Sequence, residues 1–304
     1  MMQIVLVGLG AGAAAALLFA SVASGSIVAI FLFYLAPLPI LIAALGWSHV
    51  AGLIAAASAT VVVAALAGVF FIAVPVIALG AWWLGYLALL ARPATNGGGT
   101  DLEWYPTGRL VLWAAVIGTL VVAAAVPNFG TDQQSLQAAL RRTYERILRD
   151  QSLIDVLVVA VPPAAAVFST ITNVFNVWLA ARVVKISGRL KRPWPDLPAL
   201  TLPPSASGLL AAAIVASFLP DLVGVLSGAF AASLLMAFAI LGFAVLHAIT
   251  RGMSSRAVVL AGVYAAAIVL GWPVLAMSIL GLAEVIFNIR VRVARKRAPP
   301  TLRI

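Results

Sequence analysis

Apolar stretches long enough to cross a lipid bilayer recur along most of this chain, and this restricts what it can fold into. Of its 304 residues, 64% are hydrophobic and 9% charged, with a mean hydropathy of +1.14. A water-soluble domain of this size needs a far more polar surface, because its geometry leaves a large fraction of residues at the boundary. The composition therefore predicts an all-α, polytopic transmembrane helical bundle forming one integral membrane domain over residues 1–304.

About 20 apolar residues cross the hydrocarbon layer as a helix. On that ruler the runs fall at 4–22, 27–45, 50–70, 71–90, 110–126, 153–181, 208–223, 226–249, 257–271 and 274–287. Some are short, so the expectation is about 8–10 membrane segments. No Lys or Arg precedes the first run, which favours a retained helix over a cleaved signal peptide.

The net charge of +10 does not point to nucleic acid, because the basic residues are scattered between apolar runs and form no groove. They read as topology signals. Arg92 and Arg109 flank a loop at 92–108, Arg182 to Arg192 mark a basic loop at 182–206, Arg251 and Arg256 mark another, and the tail at 290–304 is basic. Ten crossings put all of these on one side with the N-terminus. The excess of Lys and Arg makes that side cytoplasmic, and the expected location is a bacterial inner membrane. The segment 131–150 is the exception. It places Arg141, Arg142, Arg146 and Arg149 on the outer side, opposite Leu136, Leu140, Tyr144, Ile147 and Leu148. This is an amphipathic interfacial helix, or a connector packed on the bundle.

Polar side chains within apolar runs are the main clues to function. Asn173 and Asn176 lie three residues apart, shortly after Pro162-Pro163. They are candidate solute-binding residues, with hydrogen bonding across helices as the alternative. Pro37 and Pro39 interrupt the second run and free carbonyls that need partners. Glu284, in the last run, is a candidate for a structural ion pair with a nearby basic residue or for ion coupling. Gly8, Gly12, Ala16, Ala20 and Ser24 recur every fourth position, a candidate face for close helix packing or for a partner.

Cysteine is absent, which removes disulfides and thiolate chemistry. The chain has no phosphate-binding loop, nucleophile elbow, zinc-binding His pair or paired carboxylates beside a base. No cofactor, metal or catalytic residue is assigned, and an enzyme is not expected.

Three stretches resemble the YybS-like family of bacterial multispan membrane proteins. These are Pro37-Leu38-Pro39 with Gly46 to Leu53, Asn173 to Arg182 with its basic loop, and Gly281-Leu282-Ala283-Glu284 with Asn288 and Arg290. That family is similar in turn to the substrate-capture subunits of energy-coupling-factor transporters. The resemblance implies a small-molecule solute and a transmembrane coupling subunit with ATPases as partners. The face from Gly8 to Ser24 is similar to a coupler-docking helix, and Glu284 falls at the family's closing acidic position. Such subunits usually have fewer spans than are counted here. The leading expectation is the solute-capture or permease component of an uptake system; a non-catalytic membrane scaffold or assembly factor is the alternative.

Overall fold

The computed structural model describes residues 1–67, 72–93 and 102–297, and there the apolar runs are helical. In chain order the helices are α1 (Met2–Ala20), α2 (Ile27–Tyr34), α3 (Pro37–Gly46), α4 (His49–Ala67) and α5 (Ala73–Leu89). A short hairpin of β1 (Ala91–Pro93) and β2 (Leu102–Trp104) precedes α6 (Thr107–Ala125), α7 (Gln133–Glu145) and α8 (Gln151–Ile186). Then come α9 (Ser205–Ala216), α10 (Asp221–Ile249), α11 (Arg256–Leu270), α12 (Pro273–Phe287) and α13 (Ile289–Arg297). The result is an all-α polytopic bundle.

Among the described residues six helical stretches are long and apolar enough to span a membrane, counting α2 and α3 as one run. α5, α9 and α11 are apolar but shorter, and α12 meets α13 at a 74° bend. The clearest departure from the sequence reading is the run at 208–223. It becomes α9, with 12 helical residues, about 18 Å long, followed by a non-helical turn at 217–220. Pro220 has no N–H to continue a helix.

Proline acts differently in the two flagged runs. Pro37 starts α3 and Pro39 lies in its first turn, where a missing donor costs little. The second run is therefore broken and restarted. Pro162 and Pro163 lie inside α8, which continues through them for 36 residues.

Helix packing relies on small residues, because lipid supplies no hydrophobic drive for helices to associate. Gly8 lies against Ala51 and Ile54, and Gly12 against Ala55 and Ser58, so α1 and α4 run in the same direction. A methyl group on Gly12 would sit 2.7 Å from the Ala55 carbonyl oxygen. Gly8, Gly12 and Ala16 are buried on this face, whereas Ser24 is exposed in a 3-10 turn. Over Gly8 to Ala16 the small face is occupied by α4 of the same chain. A second close crossing joins α10 and α12: a methyl on Gly242 would collide with the Met277 carbonyl, and one on Gly281 with the Phe238 carbonyl. Ser278 also donates to the Leu235 carbonyl at 2.8 Å.

The basic loops gather at one end of the bundle. Arg189 Nε donates to the Gly46 carbonyl at 3.1 Å and its guanidinium lies over Trp47. Arg192 reaches the Ala88 carbonyl, Arg251 pairs with Asp196, and Arg290 holds the carbonyls of Pro198 and Leu200. The loop at 92–108 carries the hairpin, with Arg92 paired to Glu103 at 2.9 Å; Asn96 to Gly99 lie outside the described residues. The basic loop is shorter than 182–206, because α8 extends to Ile186 and α9 starts at Ser205.

α7 lies at the opposite end. Asp132 and Ser135 form a capping box at its start, and its N–H contacts hold the Asp132 carboxyl below the usual carboxylate range. Leu136 and Leu140 are buried with Val126, Ile154 and Val158, and Arg141 pairs with Asp155. The aliphatic face is thus turned onto α8 and α10 and not toward headgroups at these positions; Ile147 remains exposed.

Candidate functional site

Asn176 and the proline break in the second run satisfy each other. Tyr34 is the last residue of α2, and Leu38, whose N–H would bond its carbonyl in a continuous helix, bonds Leu35 instead. Asn176 Nδ2 donates to the Tyr34 carbonyl at 2.9 Å and to the Thr172 carbonyl at 2.9 Å. Its Oδ1 is buried without a partner. Asn173 Nδ2 donates to the Ala114 carbonyl of α6 at 3.4 Å. Both amides thus sit at helix contacts, and neither lines the cavity below nor the larger one at the basic end. Replacing Asn176 with Leu should cost about 0.6–2 kcal/mol, the usual worth of such bonds in membranes. Thermal unfolding in detergent checks this, and ligand retention per folded molecule should not change.

A different turn of α8 lines a cavity. Near the end opposite the basic loops lies a space of about 300 Å³, at the small end of ligand pockets. α8 contributes Val158, Val159, Pro162 and Pro163. Because Pro162 and Pro163 have no N–H, the carbonyls of Val158 and Val159 lose their helical donors. The turn after α9 contributes Ser217 and Leu219, and α10 contributes Gly224, Val225 and Gly228. Non-helical backbone at membrane depth is tolerated where it lines a cavity. Gly224 is needed here, because a methyl group would collide with the Leu219 carbonyl. The neighbouring Asp221 has φ 59°, a left-handed conformation rare outside glycine.

α7 roofs this space through Gln133, Leu136 and Gln137. Gln133, Gln137, Ser217, whose hydroxyl donates to the Ile214 carbonyl, and underused backbone acceptors thus line a half-apolar volume that no charged residue lines among the described residues. Such a lining suits a small, hydrogen-bonding solute without a strong charge.

Glu284 lies at the other end. Its Oε1 accepts from Arg290 Nε at 2.8 Å and its Oε2 from the Arg290 backbone N–H at 3.0 Å. The carboxylate therefore pairs with the guanidinium and also satisfies a free N–H at the start of α13, across the bend at Asn288. Both side chains are largely buried, at 7% and 17% exposure.

The sequence points to Asn173 and Asn176, about three to four turns along α8 from Pro163, and not to Gln133, Gln137, Ser217, Gly224 and Gly228. The Pro162-Pro163 pair was the available signal. These features define a polytopic helical membrane protein with a roofed cavity at one end and basic loops at the other. The chain matches no family model, no curated protein and no solved structure.

Proposed function

We propose that this protein is the solute-capture or permease component of a small-molecule uptake system, and that the cavity beneath α7 receives the solute. The observation that carries this reading is the convergence of the Pro162-Pro163 turn of α8, the non-helical turn after α9 and Gln133 and Gln137 of α7 on one volume. Discontinuous helices that present backbone groups to a cavity are how membrane transporters bind polar solutes. The excess of Lys and Arg at the other end supports reading that end as cytoplasmic, which in a bacterial inner membrane would leave both termini inside and the cavity facing out. The resemblance to YybS-like proteins and transporter capture subunits points the same way. An ATP-driven partner would supply the energy. Because α4 occupies Gly8 to Ala16, such a partner would dock elsewhere; α11, none of whose residues is buried, offers an apolar face.

The scaffold reading draws on one observation, the use of both Asn amides as donors to carbonyls inside the bundle. Native mass spectrometry of protein gently purified from its own membranes separates the two. Wild type should carry a small solute, and Gly228→Phe, which fills the cavity, should lose it. The absence of any bound solute across several growth conditions, with uptake unchanged in cells lacking the protein, would end the transport reading.

A further inference from the structure

The larger cavity, at the basic end, has a different chemistry. It measures about 710 Å³, within the ~300–1,000 Å³ of ligand pockets. Its walls come from α3, α5, α6, α8 and α10, with Tyr264 of α11 and the loop between α8 and α9. On α8 the lining runs from Ile171 to Ala181, about 15 Å at 1.5 Å per residue, or half of a ~30 Å hydrocarbon core. The cavity is therefore one leaflet deep. It is also open sideways, since Ile171, Phe175 and Trp178 on its wall remain 41%, 46% and 43% exposed.

Among the described residues its lining carries a single cation. Arg192 sits at the loop end among Pro193, Trp194 and Pro195, and its one hydrogen bond is a long one, 3.4 Å to the Ala88 carbonyl. Arg182 and Lys185 lie over the Trp194 ring beside it, at 5.6 and 4.7 Å from the centroid. Among the described residues none of these three cations pairs with a carboxylate. Burial depresses the pKa of the Arg192 guanidinium, yet an arginine keeps its charge. Its desolvation cost is thus offset by no carboxylate among the described residues.

We propose that this cavity holds a phospholipid of the surrounding leaflet, with a tail lying along α8 and a net-anionic headgroup on Arg192. Depth, lateral opening and apolar walls fit the tail, and three cations at the headgroup level with no carboxylate partner among the described residues fit the charge. This site is separate from the solute cavity at the opposite end, and the inference does not depend on how that cavity is used.

The test is native mass spectrometry of the full-length protein in detergent. It is titrated with equal amounts of phosphatidylglycerol and phosphatidylcholine bearing identical tails. Wild type should retain the anionic lipid about tenfold better, the worth of a charge-assisted contact. Arg192→Gln should bring the two lipids near parity, and Arg192→Lys should keep most of the preference. Ile240→Trp, which narrows the tail channel, should weaken retention of both lipids. Excess inorganic phosphate should leave the lipid bound. Equal retention by wild type, an unchanged preference in Arg192→Gln, or displacement by free phosphate would overturn the proposal. If Arg192→Gln does not fold, the wild-type comparison and Ile240→Trp decide it.

Discussion

Glu284→Ala should destabilise the protein by about 3–5 kcal/mol, the range for removing one partner of a buried ion pair. The substitution leaves Arg290 in place with its charge uncompensated, and it removes the acceptor for the Arg290 N–H across the bend. Because Arg290 also holds the Pro198 and Leu200 carbonyls at 2.7 and 2.9 Å, the loss should spread to the basic loop. Glu284→Gln keeps the shape and one acceptor and should recover part of the stability. Thermal unfolding of the three proteins in the same detergent measures this, with proteolysis of the loop as a local readout. An effect below about 1 kcal/mol, the worth of an exposed pair, would mean the pair is not buried as described.

Gly281→Leu should separate α12 from α10 and lower the yield of folded protein more than any substitution facing lipid. Overpacking a filled core costs about 1–3 kcal/mol and sometimes more. Here the obstruction is the Phe238 carbonyl of a neighbouring helix, which cannot rotate aside as a side chain would. Gly281→Ala should be milder but still measurable. Gly262→Leu, on α11 where nothing lies within 4 Å, is the control that should leave unfolding unchanged. Equal melting of Gly281→Leu and Gly262→Leu would show that the α10–α12 crossing is looser than the glycines indicate.

The fold class was legible because transmembrane segments are specified locally by length and apolarity. The four-residue spacing from Gly8 to Ala16 was legible for the same reason, since one helix carries the whole pattern. What covers that face was not, because α4 begins more than forty residues after Gly8. Gly242 and Gly281 sit on separate helices with no repeat to mark them, and their importance appears only when the backbones cross. The break at Pro37 announced freed carbonyls, and Asn176 announced an amide needing partners, but nothing local links Asn176 to the Tyr34 carbonyl, 142 residues away. The cavity beneath α7 was obscured most. Its polar groups are backbone carbonyls, two ordinary Gln residues and a helix end, which stand out much less in a sequence than an Asn pair in an apolar run.

The central claim is a bundle whose cavity opens to the side opposite the basic loops, and cysteine accessibility tests it most directly because the chain has no cysteine of its own. Single variants Thr131→Cys, Gly228→Cys and Ser187→Cys are treated in intact cells with a small membrane-impermeant thiol reagent, which requires a water-exposed thiolate to react. Thr131→Cys should label, Ser187→Cys should be shielded until the membrane is opened, and Gly228→Cys should label from outside. An unreactive Gly228→Cys beside a reactive Thr131→Cys, or labelling of Ser187→Cys in intact cells, would contradict it.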